Sequence, residues 1–154
     1  MKRFHVNLKV SDMEKSQAYY ARLFGVPPTM AKPDYIKWML DDPFINFSIE
    51  PTDGDTGIAH VGLQAENPQE LNGVYENIRA AAGPLLEEGD TTCCYAASQK
   101  NWTQDPDGLI WEAFYTEGQV THYGQIPDVA AISNGQQAAD VASEAQADRS
   151  MRCC

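Results

Sequence analysis

Phe4-His5-Val6-Asn7-Leu8 and Ala59-His60-Val61-Gly62-Leu63 are one pattern written twice, 55 positions apart. Each alternates apolar and polar residues, the two-residue period of a half-buried strand. The stretch after each copy repeats as well. After the first, Ser11-Asp12-Met13-Glu14 reads as a capping box with Ser11 at the N-cap and Glu14 at N3. Met13, Tyr19, Tyr20, Leu23 and Phe24 then recur at helical spacing, and Gly25-Val26-Pro27-Pro28 ends the run. Strands are expected at Tyr35 to Leu40 and Phe44 to Ile49.

After the second copy, Asn67 supplies an N-cap, Pro68 sits at N1 and Glu70 at N3. Leu71, Val74, Tyr75 and Ile78 make the apolar face, and Gly83-Pro84 is the expected stop. Strands are expected around Thr92 to Ala97, at Asn101 to Gln104, and at Leu109 to Thr116. The turn Asp105-Pro106-Asp107-Gly108 precedes the last of them.

The predicted fold class is α+β. Tandem βαβββ modules pair into a concave mixed sheet with the helices outside, because either half alone leaves one sheet face bare. The expected organisation is one domain over residues 1–118, module one covering about 1–53 and module two about 56–118. A flexible tail, 119–154, is expected beyond it: Ala, Gln, Ser, Asp and Asn dominate there, and aromatics end at Tyr123.

Composition narrows the partners. The 154 residues carry a formal charge of −11 and 43% hydrophobic residues. Such a surface repels nucleic acid and anionic membranes, so neither is expected as a partner. No apolar run approaches the roughly 18 residues of a span, and no apolar leader precedes the first strand pattern. The four cysteines are two adjacent pairs, Cys93-Cys94 and Cys153-Cys154. Neighbouring cysteines close almost no loop, which points to reduced thiols and a cytoplasmic location.

Alternation turns His5 away from Phe4, Val6, Leu8 and Val10, and His60 away from Ala59, Val61 and Leu63. In the last strand it turns Glu112 away from Leu109, Trp111, Ala113 and Tyr115. A single strand histidine reads as a surface residue. Repeat symmetry together with Glu112 favours a shared site in the concavity. Two imidazoles and one carboxylate form a facial triad with open positions, suited to Fe(II) and also to Mn(II), Ni(II) or Zn(II). Glu50 reads as a strand-end surface charge or as a fourth ligand, and His122 as a solvated tail residue.

His5-Val6-x-Leu8, His60-Val61-x-Leu63 and Asp105-Pro106-Asp107-Gly108-x-x-Trp111-Glu112 resemble the vicinal oxygen chelate superfamily over about residues 1–117. Thr91-Thr92-Cys93-Cys94-Tyr95-Ala96, with Ser98-Gln99-Lys100-Asn101-Trp102, is similar to ArsI-type carbon–arsenic lyases and to the cadmium-induced proteins called CadI. The resemblance implies an Fe(II)- and dioxygen-dependent enzyme. It would cleave the carbon–arsenic bond of trivalent organoarsenicals and release arsenite. It implies metal ligation and catalysis by His5, His60 and Glu112, and arsenic binding by Cys93 and Cys94.

Soft thiolates suit arsenic(III), and two of them can replace the two exchangeable oxygens of a mono-organic arsenical. Adjacent strand residues face opposite ways, so this requires the pair to sit in a loop or bulge, which Gly89-Asp90-Thr91-Thr92 makes reasonable. Glu87, Glu88 and Asp90 nearby would tend to raise the thiol pKa values. Lys100 reads either as a solvated lysine or as an accessory group orienting an anion. Cys153-Cys154 reads either as passive or as a capture pair. Trp38, Phe47, Tyr95 and Trp102 are candidates for an apolar wall or for ordinary core. Three other readings stay open: a thiol transferase or glyoxalase on the same triad, a soft-metal sequestering protein, and a structural module. Modules of this kind pair within a chain or between chains, so a homodimer is also open.

Overall fold

Alternation in the first histidine pattern becomes β1 (Arg3–Val10), the strand on which the sheet is built. The structure, a computed structural model, describes the backbone of residues 1–93 and 96–119 and the side chains of 1–88 and 98–118. Along the chain come α1 (Met13–Phe24), β2 (Met30–Lys32), β3 (Tyr35–Asp41), β4 (Phe44–Pro51), β5 (Gly57–Ala65), α2 (Pro68–Ala81), β6 (Leu85–Cys93), β7 (Ala96–Gln104) and β8 (Ile110–Gln119). The eight strands form one mixed sheet in the order β2-β3-β4-β1-β5-β8-β7-β6. β1 pairs β4 in parallel and β5 antiparallel, and β5 pairs β8 in parallel. The β1–β5 seam joins two four-stranded halves of one chain. Among the described residues, no helix is long and apolar enough to cross a membrane.

Each half has its own apolar core. In the first, Val10, Ile36, Trp38, Leu40, Phe47 and Ile49 are buried, with Met13, Tyr20, Ala21 and Phe24 of α1 packed on them. Tyr20 and Phe24 meet Phe47 with ring centroids 4.6 and 5.1 Å apart. Tyr19 and Leu23, expected on that face, are each 60% exposed. They lie one residue, about 100° of helix, off the stripe that touches the sheet. In the second half, Leu71 and Val74 of α2 are buried against Ala65 and Ala113, with Tyr75 and Ile78 alongside, as their spacing requires.

The caps refine three expectations. Asp12, not Ser11, is the N-cap of α1, and its carboxylate accepts from Lys15 N at 2.9 Å. Asp12 has the extended backbone a cap needs, which moves Glu14 to N2. Asn67 caps α2 as expected, accepting from Glu70 N at 2.8 Å. The left-handed residue that ends α2 is Ala82 (φ 55°) rather than Gly83.

The strand boundaries near the cysteines also shift. Gly89 to Thr92 is not a loop but lies inside β6, and Thr92 to Ala97 is not one strand. Cys93, the last residue of β6, pairs with Ala96, the first residue of the antiparallel β7. The irregularity that glycine signals is a register shift between Glu87 and Gly89, a bulge on an edge strand. The short β2 has no counterpart among the expected strands, because three residues carry too little periodicity. The Asp105 turn forms: Gly108 N donates to Asp105 O at 3.0 Å, and the Asp105 carboxylate accepts from Asp107 N and Leu109 N.

Candidate metal centre

Register brings the site together. His5 stands opposite Asn46 on one side and Gly62 on the other, and Gly62 stands opposite Glu112. Residues paired across strands share a face, so His5, Gly62 and Glu112 point into the concavity, as does His60 two residues before Gly62. Gly62 leaves the space between them. A Cβ there would meet Glu112 O at 2.4 Å, which no side chain tolerates.

His5 Nε2 lies 3.2 Å from His60 Nε2, and these atoms lie 3.5 and 3.6 Å from Glu112 Oε2. All three residues are buried. Donors about 2.1 Å from a common centre stand about 3.0 Å apart at right angles and about 3.4 Å at tetrahedral angles. The observed triangle therefore matches one face of a metal's coordination shell. His5 Nδ1 donates to the backbone oxygen of Asn46 at 3.0 Å, which leaves Nε2 with its lone pair toward the other donors. Burial pushes the His5 pKa down to about 4, against the opposing pull of Glu112, so the ring is neutral at pH 7. Burial alone would raise the pKa of Glu112. The Lys100 ammonium and the two imidazoles overcome it and hold the carboxylate well below its usual range. A neutral His5 imidazole and an ionised Glu112 carboxylate are the states in which these groups donate to a divalent metal.

Lys100 is not solvated. It is 5% exposed and donates to Glu112 Oε1 at 2.5 Å, leaving Oε2 to face the imidazoles. Strand parity places it here: Lys100 pairs with Phe114, two residues beyond Glu112 on β8. Glu50 is not a surface charge either. It is 3% exposed and pairs with Lys9 at 3.0 Å, and the donor cluster comprises His5, His60 and Glu112 without it. Trp38 and Phe47 belong to the core under α1. Trp102 does line the concavity, edge-on to His60 at 5.1 Å, with Nε1 donating to Glu88 at 2.8 Å. Phe114, edge-on to His5 at 5.2 Å, is a site residue the motifs do not single out, although simple alternation puts it on the face of Glu112. Cys93 ends β6, and its side chain lies outside the described residues, as do Cys94, Tyr95, His122 and Cys153-Cys154 of the tail.

The sequence pattern of the glyoxalase/bleomycin resistance protein/dioxygenase superfamily matches residues 2–113. The chain belongs to that superfamily. A relative from Bacillus sp. (strain MD1), named trivalent organoarsenical cleaving enzyme, is 39% identical over 86% of this chain and 84% of its own. One from Bacillus subtilis (strain 168), named probable trivalent organoarsenical cleaving enzyme, is 39% identical over 76% and 82%. The cadmium-induced protein CadI of Mycobacterium bovis is 27% identical over 88% and 90%. Among solved structures, the Mn(II)-bound glyoxalase of Novosphingobium aromaticivorans superposes with a TM-score of 0.57 at 16% identity, covering 83% of this chain and 44% of that one. This superfamily member thus carries a concave mixed sheet whose His5, His60 and Glu112 form a donor set for a divalent metal.

Proposed function

We propose that this protein cleaves the carbon–arsenic bond of trivalent organoarsenicals, methylarsonous acid and trivalent aromatic arsenicals among them, and releases arsenite. The observation that carries the reading is the buried His5–His60–Glu112 triangle in a chain 39% identical to a trivalent organoarsenical cleaving enzyme. Fe(II) held by the triad would supply the redox chemistry by which dioxygen is used.

The remaining roles fall to the chain itself. Cys93 and Cys94 take the arsenic by exchanging its two oxygens for thiolates, which converts binding into positioning. Lys100 is a positioning residue: it holds Oε1 of Glu112 and so presents Oε2 to the imidazoles. Trp102 and Phe114 brace the two rings and keep water from them. Cys153 and Cys154 are left as passive tail residues in this scheme.

The likeness to CadI favours a second reading, stoichiometric capture of arsenicals or cadmium by the cysteines. One experiment separates the two. Anaerobic protein is loaded with Fe(II), given methylarsonous acid and opened to air while arsenite is followed. Many arsenites per chain, lost in Glu112→Ala and Cys94→Ser, support the lyase. Binding of about one arsenical per chain with no arsenite, unchanged by His5→Ala, supports the sequestering protein.

A further inference from the structure

His5 has no side chain opposite it on β5. Its partner there is Gly62, which the close approach of Glu112 requires to be a glycine. The bond that orients the imidazole comes from the other side, where Nδ1 donates to the backbone oxygen of Asn46 on β4 at 3.0 Å. That bond decides which ring nitrogen carries the proton and where Nε2 points. The aim of a metal donor therefore depends on how firmly Asn46 is held.

Asn46 is held from across the seam. Its carboxamide Nδ2 donates to Oε1 of Gln64 on β5 at 3.0 Å. β4 and β5 are not neighbours, because β1 lies between them, so the bond passes over β1 beside His5. Gln64 is two residues beyond Gly62 on the same face of β5, opposite Arg3, and a long side chain reaches such a diagonal neighbour. The internal repeat shows how particular this is. Gln64 is the counterpart of Lys9 at the same offset of 55, and Lys9 pairs with Glu50 inside its own half, whereas Gln64 reaches into the other half. Asn46 has no second anchor for its carboxamide: Oδ1 accepts no hydrogen bond among the described residues, and the residue is 3% exposed. Without Gln64, both ends of a buried carboxamide would lack a partner, which costs more than a made bond contributes. The side chain would turn to a new partner and shift the residue whose carbonyl orients His5.

We infer that Gln64 is a positioning residue of the metal centre: through Asn46 it fixes the tautomer and the direction of the His5 imidazole. The inference rests on the His5–His60–Glu112 donor set and is independent of the substrate. Gln64 acts two hydrogen bonds away from the donor atom, so its loss should weaken metal binding without removing a ligand.

The test compares full-length wild-type protein with Gln64→Met and Gln64→Leu, which keep the bulk of the side chain and remove the acceptor. Ser48→Ala is the control. It removes the acceptor of another buried bond on the same face, Asn7 Nδ2 to Ser48 Oγ at 2.9 Å, which does not involve His5. Nitrogen-15 NMR of the metal-free proteins reads the His5 tautomer. Mn(II) is the metal probe, because it favours nitrogen and oxygen donors over cysteine thiolates, and electron paramagnetic resonance counts the free ion. Wild type and Ser48→Ala should show one His5 tautomer, protonated at Nδ1, and equal Mn(II) affinity. The Gln64 variants should show a mixture of tautomers and bind Mn(II) about tenfold more weakly, as the loss of an outer-shell partner does. Gln64 variants with the wild-type tautomer and affinity would overturn the inference. Equal weakening in Ser48→Ala would overturn it too, since any loosening of the sheet would then have the same effect. Wild-type protein that binds no Mn(II) would overturn the metal centre and the inference with it.

Discussion

Lys100 and Glu112 form a buried ion pair whose acid is also a metal-donor candidate. In the metal-free protein the ammonium compensates a carboxylate that has no access to water. Breaking a buried pair from one side leaves an uncompensated charge and costs about 3–5 kcal/mol. Lys100→Met should therefore destabilise the metal-free protein by about that much, and a bound divalent cation should return part of it. Thermal unfolding with and without Zn(II) checks this. The metal-induced rise in Tm should be larger in the variant than in the wild type, and an equal rise would count against the pairing. His5 adds a pH dependence. Its pKa is about 4 folded against 6.5 unfolded, so between these values the unfolded chain holds a proton that the folded chain lacks. Stability then rises with pH across that window, and about 3 kcal/mol is lost as pH falls from about 6.5 to about 4. The depressed Glu112 pKa extends the loss further into acid, because its contribution is full above the ordinary carboxylate range and is lost as pH falls from there toward the lower folded value. Urea unfolding of metal-free protein at pH 7, 5.5 and 4.5 should show the decline, and a flat profile would contradict it.

At the level of elements, the seam between β5 and β8 carries the tightest constraint. Gly62 sits where a Cβ would meet the Glu112 carbonyl oxygen at 2.4 Å, so Gly62→Ala must push the strands apart. Overpacking of this kind costs about 1–3 kcal/mol, and here it also displaces Glu112. The variant should lose metal binding before it loses its fold, as metal titration set beside circular dichroism would reveal. The same seam shows what is legible in the sequence. Period-two alternation places His5, His60 and Glu112 on one face, because facing needs only local parity. The helix stripe is legible in α2, where four apolar residues fall on one side. In α1 the run Tyr19-Tyr20 and Leu23-Phe24 offers two adjacent stripes, and only packing against Phe47 and Trp38 chooses between them. The roles of Asn46, Gly62 and Glu50 are not legible, since they depend on cross-strand register, which no single strand encodes. Nor is the burial of Lys100, because an isolated lysine carries no sign of the carboxylate that will be its neighbour.

For the whole molecule, the decisive fact is that one chain supplies the complete triad. β1 and β5 are hydrogen-bonded neighbours, and the two halves form a continuous sheet of eight strands. The repeat at offset 55 foretells two alike halves but not whether they pair within a chain. Co-refolding His5→Ala with His60→Ala protein tests that arrangement. Mixed assemblies should regain no metal binding, whereas recovery of about half a site per pair would mean that the halves pair between chains.

Two kinds of donor compete for a metal in this chain, the buried imidazole–carboxylate triangle and the soft cysteine thiolates. X-ray absorption at the iron edge of Fe(II)-loaded protein distinguishes them most directly. Two imidazoles and a carboxylate predict a shell of nitrogen and oxygen at about 2.1 Å with imidazole outer-shell scattering, abolished in Glu112→Ala. A sulfur shell at about 2.3 Å would place the metal on cysteine and contradict the His5–His60–Glu112 centre.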